Sequence, residues 1–228
     1  MRTPLLITAA LCALTGIAHA EPGGVSSVSG PSVTEGATKF ELRAATFDGG
    51  ALDDRWQYRA QAGHGFTDFW NAALILRATQ PADENAELTS IGFENKFDLT
   101  ATRDWPVHLG LQFEYKLGLD DNDDEIEFKL LAEREIGDLT LRANLIGVRT
   151  LTSGADWEAA YSARAMWEAT DSLALGAELF GEPEIDAAYF GPRADFSVGH
   201  TTLSVGYLAG LDDASADGQL RLTLEFSR

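Results

Sequence analysis

The sequence predicts a single closed antiparallel up-and-down β-barrel of about twelve strands that crosses a membrane. Three observations predict it. From Lys39 onward, segments of about ten residues alternate apolar and polar side chains, the period of a strand with two unlike faces. The connections between these segments are alternately tight and long, and the long ones are acidic. Aromatic residues gather at both ends of the segments, about one strand length apart.

The elements follow in order. Arg2 supplies a positive start, Leu5 to Ile17 form an apolar core, and Ala18-His19-Ala20 gives a small-x-small cleavage pattern, so residues 1–20 read as a signal peptide. That apolar run is too short for a spanning helix. The only cysteine, Cys12, lies within it, and Leu11 stands where a lipoprotein signal needs a small residue. The exported chain is therefore expected to lack a thiol, and with it any disulfide, sulfur-bound metal or cysteine nucleophile. Residues 21–38 are rich in Gly, Ser, Val and Pro without alternation, and read as a flexible periplasmic N-terminal segment outside the barrel. Residues 39–228 are the barrel.

Twelve alternating segments are read at roughly 39–47, 56–66, 69–78, 87–99, 107–117, 126–136, 139–151, 157–169, 173–182, 188–198, 202–209 and 218–226. The last shows the pattern best, with Leu220, Leu222, Leu224 and Phe226 on one face and Gln219, Arg221, Thr223 and Glu225 on the other. An even count returns both chain ends to the periplasmic side. Thr67-Asp68, Ala101 to Pro106, Gly137-Asp138, Thr170 to Ser172 and Gly199 to Thr201 are the tight turns. Trp70, Trp105, Trp167, Phe66 and Phe69 lie at that end, and Trp56, Trp157, Tyr58 and Tyr189 at the other.

A formal charge of −19 excludes unaided nucleic-acid binding, which needs a basic footprint. Parity places the charges more finely, because an apolar face against lipid sends its partners inward. Arg43, Arg59, Arg77, Glu94, Lys96, Glu114, Lys116, Arg142, Arg164, Glu178, Arg193 and Arg221 are thereby the candidate lumen-lining residues. With the rest of that parity they give eleven bases against twelve acids, a nearly neutral interior. Only Arg134 is read on the lipid face, near enough to the periplasmic end of its strand to snorkel.

The surplus acid lies in the long loops. Asp120, Asp121, Asp123, Asp124 and Glu125 form the densest run and are a candidate for loosely bound Ca or Mg, which prefer oxygen ligands. The same run also reads as a solvated acidic rim, bridged to lipopolysaccharide by ambient divalent ions. No other cofactor is expected. His64, His108 and His200 all fall at the tight-turn end, and no Gly-x-Ser-x-Gly or His-Glu-x-x-His motif is present, so no catalytic residue is assigned.

From Lys39 to Arg228 the chain resembles the Gram-negative outer-membrane β-barrel class, porin-like or transporter-like. The resemblance includes the alternating C-terminal strand with its late aromatic Phe226, although the chain continues through Ser227-Arg228 where that class usually ends on the aromatic. Ile91 to Phe97 is similar to part of a narrower subfamily. The resemblance implies an outer-membrane location, with lipid, lipopolysaccharide and the barrel-assembly machinery as partners.

Three functions remain open at this level. The first is a narrow passive channel or transporter-like protein for small polar solutes or cations. The second is a closed structural or surface-interaction barrel with a cation-bridged acidic rim. The third is an outer-membrane hydrolase resting on carboxylate chemistry.

Overall fold

A computed structural model describes residues 23–101 and 103–228, and it is a closed barrel of twelve antiparallel strands. They are β1 Thr38–Asp48, β2 Trp56–Gly65, β3 Trp70–Gln80, β4 Glu87–Asp98, β5 His108–Gly118, β6 Glu125–Ile136, β7 Leu139–Thr150, β8 Glu158–Thr170, β9 Leu173–Glu182, β10 Ala187–Val198, β11 Thr201–Gly210 and β12 Gly218–Ser227. Each strand pairs with the next. β1 then closes on β12 in unbroken register from Lys39↔Ser227 to Asp48↔Gly218, which leaves no open edge. Every strand boundary falls within two residues of the one read from the sequence. The signal peptide read at 1–20 lies outside the described residues.

The two rims differ as the connections foretold. At the tight-turn rim Gly137 and Gly199 take left-handed backbone, φ 58° and 59°, which a glycine enters without strain. At the long-loop rim Asp54, Asp83, Asp120 and Asp186 do so, one in each of four loops. Asp tolerates that conformation better than most side chains, so part of the loop acidity is turn chemistry.

The outer face is apolar. Leu111, Leu141, Leu175, Leu222 and Leu224 are exposed there, with Leu109 half-buried, whereas Arg59, Glu114 and Glu178 are buried inside. Lys96, Arg142 and Arg164 share the inner parity and are half-buried. A soluble barrel would show the opposite arrangement. Arg134 is exposed on the outer face, and Arg149, in register with Ile126, is a second outward base at the far end of its hairpin.

Aromatic rings mark both rims. Phe66, Phe69, Trp105 and Trp167 are exposed at the tight-turn end. Trp157 is exposed at the other end, where Trp56 stacks on Tyr58 at 6.1 Å. Tyr189, expected among them, points inward instead. It shares the parity of Arg193 and Asp195, is fully buried, and accepts a hydrogen bond from the Ala216 amide at 2.6 Å. Around it Phe47, Phe180, Leu208, Val28 and Ala216 form an apolar cluster inside the long-loop end.

Val28 belongs to the segment read as a free lead-in, and here the expectation is corrected. The described part of residues 21–38 runs through the lumen. Gly24 N donates to Gln219 Oε1 at 2.7 Å near the long-loop end, while Gly36 N bonds Gly65 O at 2.8 Å by the first tight turn. Midway, Ser29 and Asn144 exchange two hydrogen bonds, 2.8 and 2.9 Å, between backbone and side-chain amide. The small residues that suggested a linker are also those that fit a narrow tube. No alternation marks the segment, because wall side chains rather than a strand ladder satisfy much of its backbone.

Candidate functional site: the charged lumen

The interior charges stand in rows. Register sets Arg43 opposite Arg59 and Arg59 opposite Arg77 across β1, β2 and β3. Glu94, Glu114 and Glu127 form a matching acidic row across β4, β5 and β6, and Arg142 faces Arg164 across β7 and β8. Like charges directly opposite repel. Their relief comes from acids along the same strand and on neighbouring ones. Arg43 Nη2 reaches Glu41 Oε1 at 2.6 Å, and Arg59 lies between Glu41 at 3.3 Å and Glu94 at 3.5 Å. Arg77 spans β4 to grip Glu114 with both terminal nitrogens, at 2.6 and 2.9 Å. Gly92 leaves that path open, since a Cβ there would stand 2.2 Å from the Glu114 carboxylate.

Two walls result. On β5 and β6, Lys116 meets Glu125 at 3.1 Å and Glu127 at 3.5 Å, and Lys129 meets Glu127 at 2.9 Å. There acid and base balance. On the opposite wall one carboxylate serves several cations. Glu178 accepts from Arg193 at 3.0 Å and from Arg221 at 2.9 Å, with Arg164 at 3.8 Å. Arg193 also donates to Asp195 at 2.7 Å, and Arg142 pairs with Glu133.

Between the walls lies a cavity of about 160 Å³. Its lining includes Arg43, Arg59, Lys96, Arg142, Arg164, Arg193, Arg221 and Lys39, eight bases, but only three acids, Glu41, Glu94 and Glu225. Counting Glu133, Glu178 and Asp195, which pair with these bases from just behind, still leaves bases in excess. Arg59 Nε is buried with no hydrogen-bond partner among the described residues. Of the residues singled out from the sequence, Arg77, Glu114, Lys116 and Glu178 stay outside this lining, held in the ion pairs described above. Parity found the charges and put Gln219 on the polar face, but it passed over the amides Gln57 and Asn144; all three carry no charge to flag them yet hold the threaded segment.

The acidic run at the third long loop is not assembled as a metal centre. Asp124 accepts from Tyr115 Oη at 2.5 Å and from Gly118 N at 2.9 Å, and Glu125 is taken by Lys116. Among the described residues no group of three or more His, Cys, Asp or Glu side chains is placed to hold a metal ion. Asp120 forms the left-handed turn, and Asp121 and Asp123 extend around it. Two of its five carboxylates, Asp124 and Glu125, are engaged within the protein.

A closed twelve-stranded barrel, apolar outside and charged inside, resembles bacterial outer-membrane porin-like structures. Among solved structures, a KdgM porin in complex with disordered oligogalacturonate superposes with a TM-score of 0.64 at 8% identity, covering 82% of this chain and 98% of that one. The NanC porin gives 0.60 at 10% identity with the same coverage. An outer-membrane channel from Pseudomonas putida F1 gives 0.57 at 11% identity, over 90% of this chain and 99% of that one. No family model matches the chain, and no curated protein matches it in sequence.

Proposed function

We propose that this protein is a narrow passive channel of the outer membrane for small polar solutes, and that its constriction favours anions. The observation that carries the reading is the excess of guanidinium and ammonium groups around the central cavity, with Arg43 and Arg59 in direct register on β1 and β2. Arginines directly opposite one another repel, and an anion between them relieves that repulsion. The likeness to a porin solved with oligogalacturonate, a chain of sugar carboxylates, supports the same substrate class.

The acidic loops by themselves would favour cations at the mouth. Magnitudes reverse that preference. A loop carboxylate sits in water, where a charge pair at 4 Å is worth about 1 kcal/mol and salt screens it within about 8–10 Å. The lumen bases act at a constriction between low-dielectric walls, where the same pair is worth several-fold more. The constriction therefore sets selectivity, and the loops modulate entry.

The test is the reversal potential of the purified protein in a planar bilayer under a potassium chloride gradient. Anion preference is expected, and replacing Arg43 and Arg221 with Gln should reduce it. Cation preference in the parent would overturn the reading. The segment in the lumen favours a second reading, a closed structural barrel; that one predicts no conductance, even when the segment is dislodged.

A further inference from the structure

We infer that the segment Gly23–Thr34 occupies an anion site with its own carbonyl oxygens, and that a carboxylate-bearing solute displaces it. The inference rests on the channel reading above and adds how that channel opens.

Three cations of the lumen give donors to this segment, Arg43 and Arg221 beside their ion pairs with Glu41 and Glu178. Arg43 Nη1 donates to Val25 O at 3.0 Å. Arg221 donates through Nε to Gly24 O at 2.8 Å and through Nη2 to Ser26 O. Lys96 Nζ donates to Gly30 O at 3.2 Å and to Ser32 O at 3.0 Å. Residues 23–34 carry no charge, so none of these contacts neutralises a base. A carboxylate bonds a guanidinium about twice as strongly as a neutral acceptor does, and a solute bearing one is the better ligand at each position. The segment has the advantage only of being tethered.

Geometry makes the exchange necessary for transport. The cavity left beside the segment, about 160 Å³, falls short of the roughly 300–1,000 Å³ of sites that enclose small organic ligands. A sugar acid passes only when the segment gives way. Its holdfasts suit reversible release. Besides Val28 in the apolar cluster and Pro31, buried against Gly110, the segment is held by hydrogen bonds that water or solute replaces. The foot stays fixed, because Gly65 N bonds Ala37 O at 2.9 Å and a Cβ on Gly65 would collide with Thr34 O.

The test uses the full chain carrying Val28→Cys in a Cys12→Ser background, reconstituted in detergent or bilayer. A water-soluble maleimide reports access to the buried position. Sodium galacturonate should raise the labelling rate at least fivefold, while galactose at matched ionic strength leaves it unchanged. Should Val28→Cys fail to form the barrel, Ser29→Cys gives the same readout. Equal rates in both sugars, in a protein whose reversal potential is anion-selective, overturn displacement and leave the channel intact. Absence of anion selectivity overturns the channel reading, and displacement falls with it.

Discussion

Gly110 on the inner face of β5 lies directly against Pro31 of the threaded segment: a Cβ placed on the glycine would stand 2.8 Å from the proline Cβ. The same Cβ would lie 2.9 Å from Phe97 O on the neighbouring strand, so the position is tight on two sides. A larger residue there cannot coexist with the seated proline. Gly110→Leu should expel the segment and raise single-channel conductance severalfold, with some loss of stability from the strand contact. Gly30→Val attacks the same seat from the other side, since its Cβ would meet Glu133 and Arg142 side chains, which can shift. Equal conductance in parent and both variants would show that the segment does not obstruct the path.

The barrel was legible in the sequence because its signal is redundant. A period of two over some ten residues, repeated twelve times, survives local ambiguity such as the irregular register at Arg77/Ala78. Parity also found Arg43, Arg59, Arg142 and Arg221, since a one-residue slip would expose them to lipid. Two things were not legible. Counting charges gave a neutral interior because summation ignores position; the cavity samples mainly the basic part of it, while Lys116 and Lys129 are balanced by Glu125 and Glu127 on the far wall. The threaded segment was missed because Gly, Ser and Pro describe a linker and a lumen occupant equally well. Its partners Gln57, Asn144 and Gln219 are distant in sequence, and no local pattern joins them to residues 24–29.

Glu178 is the counter-charge that Arg164, Arg193 and Arg221 share, with Asp195 also on Arg193, and only 2% of its side chain is exposed. Glu178→Gln keeps the shape and removes the charge. Anion preference should rise, read as a shift in reversal potential toward the ideal anion-selective value. Breaking a buried pair from one side typically costs about 3–5 kcal/mol, so the midpoint of urea unfolding should fall as well. A stability loss with unchanged selectivity would confine Glu178 to a structural role.

The third long loop should answer differently at neighbouring positions. Asp120→Asn retains a residue at ease with φ 55°, and Asp121→Asn and Asp123→Asn change exposed groups, so each should leave stability within about 0.5 kcal/mol of the parent. Asp124→Ala strands the Tyr115 hydroxyl and the Gly118 amide, and should make the loop open to protease. Since Asp124 and Glu125 already have partners in the protein, chelating divalent cations should not move the unfolding midpoint. A drop of several degrees on chelation would show that the acidic run holds a divalent ion.

Asn144 and Leu145 are adjacent in β7 and face opposite worlds: Asn144 is 1% exposed inside, and Leu145 is 64% exposed outside, near the middle of its strand. Leu145→Arg places a charge where the apolar band meets lipid, and should cost about 2–4 kcal/mol in bilayer-based unfolding. Its effect on conductance should be small, because the lumen is untouched. Asn144→Ala removes both hydrogen bonds to Ser29 and the contact with Ser162 at 3.3 Å. It should loosen the segment, raise conductance and speed maleimide labelling at Val28→Cys even without solute. The pair separates the two faces in one experiment. If Leu145→Arg folds as well in lipid as the parent does, the outer face is not lipid-facing and the membrane assignment fails with it.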